Sequence, residues 1–219
     1  MTLSSPRPVE PAAHRRRRPY QLGKRGQSMA ETRARVIEAA REALSEDACR
    51  GLSMDEIARR AGVARATLYH QFTSKFDLFN AVVAETAERN DARGVRELRE
   101  GPEAAVALRQ YVPALCSFYA RGYVLLRNVV GLMAIDPDAN RVIGAYDANR
   151  REGLTRMVER LTDQGHFSRT FTQAEAIDVL WMLTGFQTFN HLYGSSGLPV
   201  DEVASLLLRQ ASIVLTADA

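Results

Sequence analysis

Four short motifs of the kind that begins an α-helix recur along the chain, and they constrain its fold more than any other feature. Each has a serine or threonine followed three residues later by an acidic residue, an arrangement that caps the first backbone amides of a helix. They are Ser28-Met29-Ala30-Glu31, Ser53-Met54-Asp55-Glu56, Ser74-Lys75-Phe76-Asp77 and Thr172-Gln173-Ala174-Glu175. Apolar residues recur with helical periodicity, and no stretch keeps the alternation typical of a strand. The sequence therefore predicts an all-α fold with about nine helices.

Glycine and proline residues mark where the predicted helices end. The first helix begins at Ser28, two short helices lie on either side of Gly62, and a long helix runs from Ser74 towards Arg99. The rest of the chain is predicted to hold further helices near residues 103–121, 122–135, 138–164, 173–193 and 200–216. Pro113 is expected to kink the first of these.

Basic residues are concentrated in the front of the chain. Residues 1–80 contain 15 Lys and Arg against 9 Asp and Glu, whereas residues 81–219 contain 14 against 17. This asymmetry indicates a polyanion as the partner of the front half. Residues 1–27, with four prolines and the run Arg15-Arg16-Arg17-Arg18, are predicted to form a disordered basic arm. The arm is either a solvated tail or a segment that follows DNA phosphates into a minor groove, and a transit peptide is a further alternative.

Composition excludes several other classes of protein. Cys49 and Cys116 are too few for a disulfide framework or a cysteine-based zinc site, and the four histidines lack the spacing of metal ligands. We expect a cytoplasmic protein without a secretory signal, a membrane span, a metal or a cofactor. Paired carboxylates in an evident cleft, a nucleophile motif and a glycine-rich phosphate loop are all lacking, so nothing supports an enzyme or a catalytic residue.

The stretch from Leu52 to Phe79 has the pattern of a helix-turn-helix, in which two short helices meet at a steep angle across a turn that contains glycine. Gly62 is expected to adopt the positive φ of that turn. Ile57, Ala58 and Leu68 would form the small core between the helices.

With those residues inward, the opposite face of the second short helix is predicted to contact DNA. Arg65 can bind a guanine edge in the major groove, and Ala66 allows close approach to a thymine methyl group. Thr67, Tyr69 and His70 offer donors to phosphate oxygens. Further contacts are expected at the starts of neighbouring helices, from Lys75 together with the adjacent helix terminus and from Arg33, Ser53 and Ala64.

The same stretch resembles the DNA-binding domain of the tetracycline-repressor (TetR) family over roughly residues 29–80. The matching positions at fixed spacing include Ile57, Ala58, Ala61-Gly62-Val63, Thr67-Leu68-Tyr69, Phe72, Ser74-Lys75 and Leu78. The chain departs from the usual pattern at Ala64, Ala66 and Phe76, where the family often has serine, glycine and an acidic residue. The resemblance implies a helix-turn-helix DNA-binding domain over 28–80 and a ligand-binding and dimerisation domain over 81–219. It further implies a homodimeric, ligand-responsive transcriptional regulator, usually a repressor.

The last two predicted helices are apolar nearly all round, which indicates burial on more than one side. A second copy of the chain would cover the remaining face and set two recognition helices about one turn of DNA apart. Alternatively, both helices lie in a thick monomeric core. The residues expected at the dimer interface are Ile177, Leu180, Thr184, Leu206, Leu207, Ile213 and Val214.

A ligand pocket is predicted where aromatic, thioether and polar side chains interrupt the apolar helices of the rear domain. The candidate lining residues are Tyr119, Tyr123, Arg127, Met133, Tyr146, Met157, Trp181 and Gln187. For any one of them taken singly, an ordinary core position is the favoured alternative. Arg127 lies in the most apolar segment and is expected to pair with an anionic ligand or with Asp147 or Asp178.

A small-molecule effector would act by favouring one spacing of the two DNA-binding heads over another. The long helix from Ser74 is the expected lever, because one end reaches DNA and the other enters the rear domain. Release of a palindromic operator by the effector is therefore the expected mechanism. A helical scaffold or adaptor without a specific DNA target is the alternative.

Overall fold

The computed structural model describes residues 22–46 and 53–215, which form α-helices without a strand in the described ranges. The first four helices are α1 (Leu22–Ser45), α2 (Met54–Arg60), α3 (Arg65–Gln71) and α4 (Lys75–Arg89). They are followed by α5 (Ala92–Arg99), α6 (Ala104–Arg121), α7 (Tyr123–Leu132) and α8 (Pro137–Asp163). The described chain ends with α9 (Gln173–Leu183), α10 (Phe186–Asn190), a π-helical turn (His191–Ser195), α11 (Val200–Ala211) and a 3₁₀ turn (Ser212–Val214). The predicted all-α fold is confirmed.

The described residues contain eleven helices rather than about nine, because two predicted helices are each divided. The helix from Ser74 ends at Arg89, and Asp91 adopts a left-handed conformation with φ of 69° while its side chain caps α5. The predicted helix over 173–193 breaks at Thr184 and Gly185, where α10 begins. The helix from Ser74, which was the expected lever, is therefore shorter than predicted. The predicted helix over 103–121 is present as α6, and it continues through Pro113.

Helix α1 begins before its predicted start. Ser28 was expected to cap its first turn, but the helix already includes Leu22, and the Ser28 carbonyl accepts a hydrogen bond from the Thr32 hydroxyl within it. Residues 22–27 of the predicted disordered arm are thus helical. Gly23 and Gly26 weaken a helix but do not prevent it from forming. The arginine run of the arm lies outside the described residues.

Two apolar cores hold the helices together. The front core contains Val36, Leu44, Ile57, Leu68 and Phe79 from α1 to α4, all at most 1% exposed. It also takes in buried side chains of α7 and of the start of α8, namely Leu125, Val129, Leu132, Ala139 and Val142. The rear core joins α5, α6, α8, α9, α10 and α11. The front packing unit therefore extends beyond the predicted boundary at residue 80.

Every helix within residues 22–46 and 53–215 is too short or too polar to span a bilayer.

Candidate DNA-binding surface and ligand cavity

Helices α2 and α3 form the predicted helix-turn-helix. Gly62 lies between them with φ of 64°, a conformation that favours glycine, and the Val63 amide donates to the Ala58 carbonyl at 3.0 Å. Ser53 caps α2, since its hydroxyl accepts from the Glu56 amide at 3.2 Å. Ala64 precedes α3 without a side-chain cap, as its lack of a hydroxyl requires.

Helix α3 presents one buried face and one exposed face. Leu68 is fully buried against α2, whereas the residues predicted to meet DNA from this helix are all exposed. These exposed residues are Ala64, Arg65, Ala66, Thr67, Tyr69 and His70. The face therefore has the shape and the donors that a major groove requires, and the individual base and phosphate contacts remain predictions.

Arg65 has protein partners that hold its side chain along the exposed face. Its Nη1 lies 3.1 Å from Oδ2 of Asp55 on α2, and its guanidinium carbon lies 5.5 Å from the Tyr69 ring centroid. Both partners are exposed, so the ion pair is weak and a guanine can displace it. Arg65 remains available for the predicted base contact.

Arg33 and Lys75, the flanking phosphate contacts that were predicted, are both engaged within the protein. Arg33 donates to the Gln71 carbonyl at 3.0 Å and lies over the Phe72 ring at 4.2 Å. Lys75 is half-buried and forms an ion pair with Asp136, the residue that caps α8. A phosphate at the start of α4 would therefore compete with Asp136 for Lys75.

The rear of the molecule contains a cavity of about 530 Å³ between α4, α5, α6, α7, α8 and α10. This volume falls in the range of small-molecule sites. Its apolar wall includes Val83, Ala87, Leu115, Leu125 and Leu126. Because Leu125 also belongs to the front core, α7 joins the cavity to the DNA-binding helices.

Four of the residues predicted for the ligand pocket line this cavity: Tyr119, Met133, Tyr146 and Gln187. Burial raises the pKa of both tyrosines above the usual value, so their hydroxyls are neutral donors at physiological pH. Tyr119 is already engaged, since its hydroxyl donates to the Thr184 carbonyl at 3.0 Å.

The other four predicted pocket residues, Tyr123, Arg127, Met157 and Trp181, do not line it. Tyr123 donates to Asn190 at 2.8 Å, and Met157 is fully buried in the rear core. Trp181 lies on α9 beside the Arg150 and Arg151 side chains.

Arg127 is exposed on α7 and lies 5.9 Å from the Tyr123 ring centroid, so it needs no buried anionic partner. The two acidic residues expected to serve Arg127 instead pair with other arginines, Asp147 with Arg150 and Asp178 with Arg151. Helical periodicity alone did not distinguish the exposed face of α7 from its apolar faces.

Three arginines that the sequence analysis did not single out line the cavity instead: Arg96, which is exposed, Arg99 and Arg150. Arg99 is 5% exposed, and the side chain of Arg150 is 11% exposed. Arg150 donates to the Trp181 carbonyl and to the Thr184 hydroxyl, each at 2.7 Å, and pairs with Asp147. The charged positions of α5 and α8 follow an ordinary amphipathic pattern, which gave no signal of their burial.

The residues predicted for a dimer interface divide into two groups. Leu180, Thr184, Leu207 and Val214 are buried inside this chain, so they support the last helices from within. Ile177, Leu206 and Ile213 are partly or largely exposed. Met182 adds a further exposed apolar side chain on α9 at 58%. The surface available to a second copy is therefore formed by this outer group, and the interface remains a prediction.

Comparisons with known proteins agree with this arrangement. Residues 36–82 match the family model described as bacterial regulatory proteins, tetR family. The HTH-type transcriptional regulator UidR of Escherichia coli K12 is 31% identical over 133 residues, which cover 60% of this chain and 65% of UidR. The match thus spans less than two thirds of the length of that relative.

Solved structures share the fold at low sequence identity. A putative TetR-family regulator from Rhodococcus sp. has a TM-score of 0.66 at 17% identity, covering 85% of this chain and all of that one. A putative regulator from Saccharomonospora viridis, in complex with choline, has a TM-score of 0.63 at 18% identity, covering 85% and 98%. The expected family resemblance is confirmed by the matched domain, the relatives and the fold. Residues 36–82 are therefore similar to the DNA-binding domain of the TetR family of bacterial regulatory proteins, and the described chain has the fold of TetR-family structures.

Proposed function

We propose that this protein is a cytoplasmic, homodimeric repressor that binds a palindromic operator through α3 and leaves it when a small molecule enters the rear cavity. The observation that carries the proposal is the exposed face of α3, formed by Arg65, Ala66, Thr67, Tyr69 and His70, on a helix whose other face is anchored by Leu68. No catalytic role is proposed for any side chain.

The outer face of α9 and α11 supports the dimer. Exposed apolar side chains on two neighbouring helices are costly in water and are the usual core of a two-fold interface. Pairing of this face with a second copy would present two α3 helices to successive turns of one DNA duplex.

The cavity supports control by a ligand. It lies against α4, whose first residue is Lys75, and against α7, which packs on α1. The Saccharomonospora viridis regulator, which has a similar fold, is in complex with choline, and this supports a small molecule as the class of effector. A ligand that prefers one arrangement of these helices shifts the operator affinity by its differential affinity for the two states.

Selection from random duplex DNA tests the proposal. We expect the full chain to enrich a two-fold symmetric site. Arg65→Ala should relax base preference at particular positions, with a loss of about 1–3 kcal/mol at each. Lys75→Ala should instead weaken all sequences alike and reduce the salt slope by about one.

A helical adaptor without a specific DNA target predicts a different result in the same selection. Failure to enrich any symmetric site at low salt would remove the operator from the proposal. Unchanged relative base preferences in Arg65→Ala would remove α3 as the reading element.

A further inference from the structure

The cavity wall contains hydrogen-bond donors together with the carboxylates of Glu88 and Asp147, and two of its buried polar groups lack a partner within the described residues. Thr86 is 9% exposed, and its hydroxyl has no hydrogen-bond partner among the described residues. The Nδ2 donor of Asn90 is also buried without a partner in the described part of the chain. Arg96, Arg99 and Arg150 add three guanidinium groups. The Asn90 amide nitrogen and the guanidinium groups only donate, and the Thr86 hydroxyl can donate, so a ligand that accepts hydrogen bonds would satisfy all of them.

The two buried arginines differ in how well they are neutralised. Arg150 has a full set of protein partners: the Asp147 carboxylate, the Thr184 hydroxyl and the Trp181 carbonyl. Its charge is therefore balanced without a ligand.

Arg99 lacks such a balance. The carboxylate that the described residues offer it, Glu100, lies 3.4 Å from its Nη2. Glu100 is itself shared with Arg156 at 3.0 Å and with Arg160 at 3.7 Å. Arg156 also pairs with Glu152 at 2.8 Å, so two carboxylates serve three guanidinium groups, and Arg99 has the buried side chain among them although burying a charge requires close pairing. The Arg99 Nε also lies 3.4 Å from the same Glu100 oxygen, and the Tyr111 hydroxyl beside Arg99 is a neutral group whose pKa is raised by burial.

The backbone of α8 holds the Arg99 head in place. Gly153 lies directly beneath the guanidinium, and a Cβ at this position would overlap the Arg99 Cζ and Nε atoms. Gly153 is buried in the middle of a 27-residue helix, where glycine costs about 1 kcal/mol relative to alanine. The glycine therefore provides the space in which the charged head of Arg99 lies against the cavity.

We propose that the cavity binds an organic monocarboxylate, with the carboxylate on Arg99 and an apolar body against α4, α6 and α7. The inference rests on the proposed function in taking this cavity as the effector site. Asp147 balances Arg150, and the exposed Arg96 and Glu88 add opposite charges to the wall, so the buried Arg99 is left to match one negative charge. The Thr86 hydroxyl is a further donor on the same cavity wall. Because the wall is apolar, we expect the rest of the ligand to be hydrocarbon.

Calorimetric titration of the full chain in the absence of DNA tests the proposal with matched probes. Decanoate, decanol and decyltrimethylammonium share one apolar body and differ in the charge of the head, and naphthoate offers a flat body with the same carboxylate. We expect a carboxylate to bind at least about tenfold more tightly than decanol and the ammonium probe, the size of one charge-assisted hydrogen bond.

Three variants locate the selectivity. Arg99→Met should remove about tenfold or more of the decanoate affinity while changing that of decanol by less than about twofold. Gly153→Ala leaves every charged group present but displaces the flexible end of Arg99, so it should produce the same selective loss even if Arg99→Met fails to fold. Arg93→Met is the matched control, since Arg93 lies on the same helix, is 77% exposed and does not line the cavity.

The proposal is overturned if decanol or the ammonium probe binds as tightly as decanoate, or if the preference survives both Arg99→Met and Gly153→Ala. Failure of the folded chain to bind either decanoate or naphthoate also overturns it. The selection of an operator sequence is a separate experiment that tests the proposed function. A carboxylate that binds through Arg99 but leaves operator affinity unchanged supports the inference and contradicts ligand-controlled regulation.

Discussion

At the start of α4, Asp136 and a DNA phosphate would compete for the Lys75 side chain. Asp136 accepts from Lys75 through Oδ2, and its Oδ1 accepts from the Asp138 and Ala139 amides at 3.0 and 3.2 Å. Burial works to raise the pKa of Asp136, but these hydrogen bonds outweigh it and hold the pKa below its usual value. The stability that this carboxylate contributes is therefore present above its unfolded pKa and is lost as the pH falls through the folded pKa.

Asp136→Asn keeps the helix cap and removes the charge that competes for Lys75. We expect affinity for all DNA sequences to rise by roughly three- to tenfold, because Lys75 becomes free to meet a phosphate. Gel-shift titrations at several salt concentrations measure this. Asp138→Asn, which removes a carboxylate from the same helix turn that pairs with Arg141 rather than with Lys75, serves as the control. Unchanged affinity in Asp136→Asn would show that Lys75 does not contact DNA.

Cys116 reports on the rear core. It is 2% exposed, and burial raises the pKa of its thiol to about 12. In a Cys49→Ser background, we expect thiol reagents to label the native protein at least about a hundredfold more slowly than the unfolded one. The neutral thiol favours the fold, so this contribution is complete below about pH 9 and decreases towards pH 12. Rapid labelling of the native chain would contradict a closed rear core.

At the scale of elements, α7 connects the cavity to the DNA-binding helices. Asn128 on this helix donates to the Leu44 carbonyl at 2.9 Å and to the Glu46 carbonyl at 3.1 Å, at the end of α1. Leu126 and Val130 on the same helix line the cavity. Movement of α7 by a ligand would therefore be transmitted directly to α1.

Asn128→Ala removes both hydrogen bonds. We expect a loss of about 1–2 kcal/mol in the free energy of unfolding, since carbonyls at the end of α1 lose their partner. We also expect a weaker effect of ligand on DNA affinity. Urea denaturation and gel shifts with and without ligand measure the two effects, with Val124→Ala on the exposed side of α7 as the control. Intact ligand response in Asn128→Ala would place the coupling elsewhere, for example along α4.

The outcomes at this scale show what sequence patterns can determine. Capping residues and Gly62 act on neighbouring residues, so the sequence located α2, α3 and the start of α9 correctly. The break after α4 depends on Asp91 in a left-handed conformation, which a non-glycine residue adopts only when surrounding packing compensates. The burial of Arg99 depends on Gly153 in another helix, a long-range contact that periodicity cannot reveal.

For the whole molecule, the decisive property is the number of chains that meet DNA together. Met182 on α9 is 58% exposed and Ile213 is 51% exposed, while their neighbours Leu180 and Val214 are buried in the same chain. Leu180 and Val214 thus pack within the chain, whereas Met182 and Ile213 are accessible to a second, identical copy. Two linked heads bind a palindrome far more tightly than one, because the second contact is intramolecular.

Met182→Glu places a charge on this face, and two-fold pairing would bury it opposite its own copy. We expect a dimer by analytical ultracentrifugation for the unmodified chain and a monomer for the variant. Affinity for the selected palindrome should fall by at least about tenfold, whereas affinity for a single half-site should be unchanged. Ile135→Glu is the matched control, since Ile135 is 76% exposed but lies between α7 and α8, away from this face. If Ile135→Glu dissociates the dimer and Met182→Glu does not, the two copies pair through the opposite side of the molecule, and the spacing of the two α3 helices must be derived from that pairing instead.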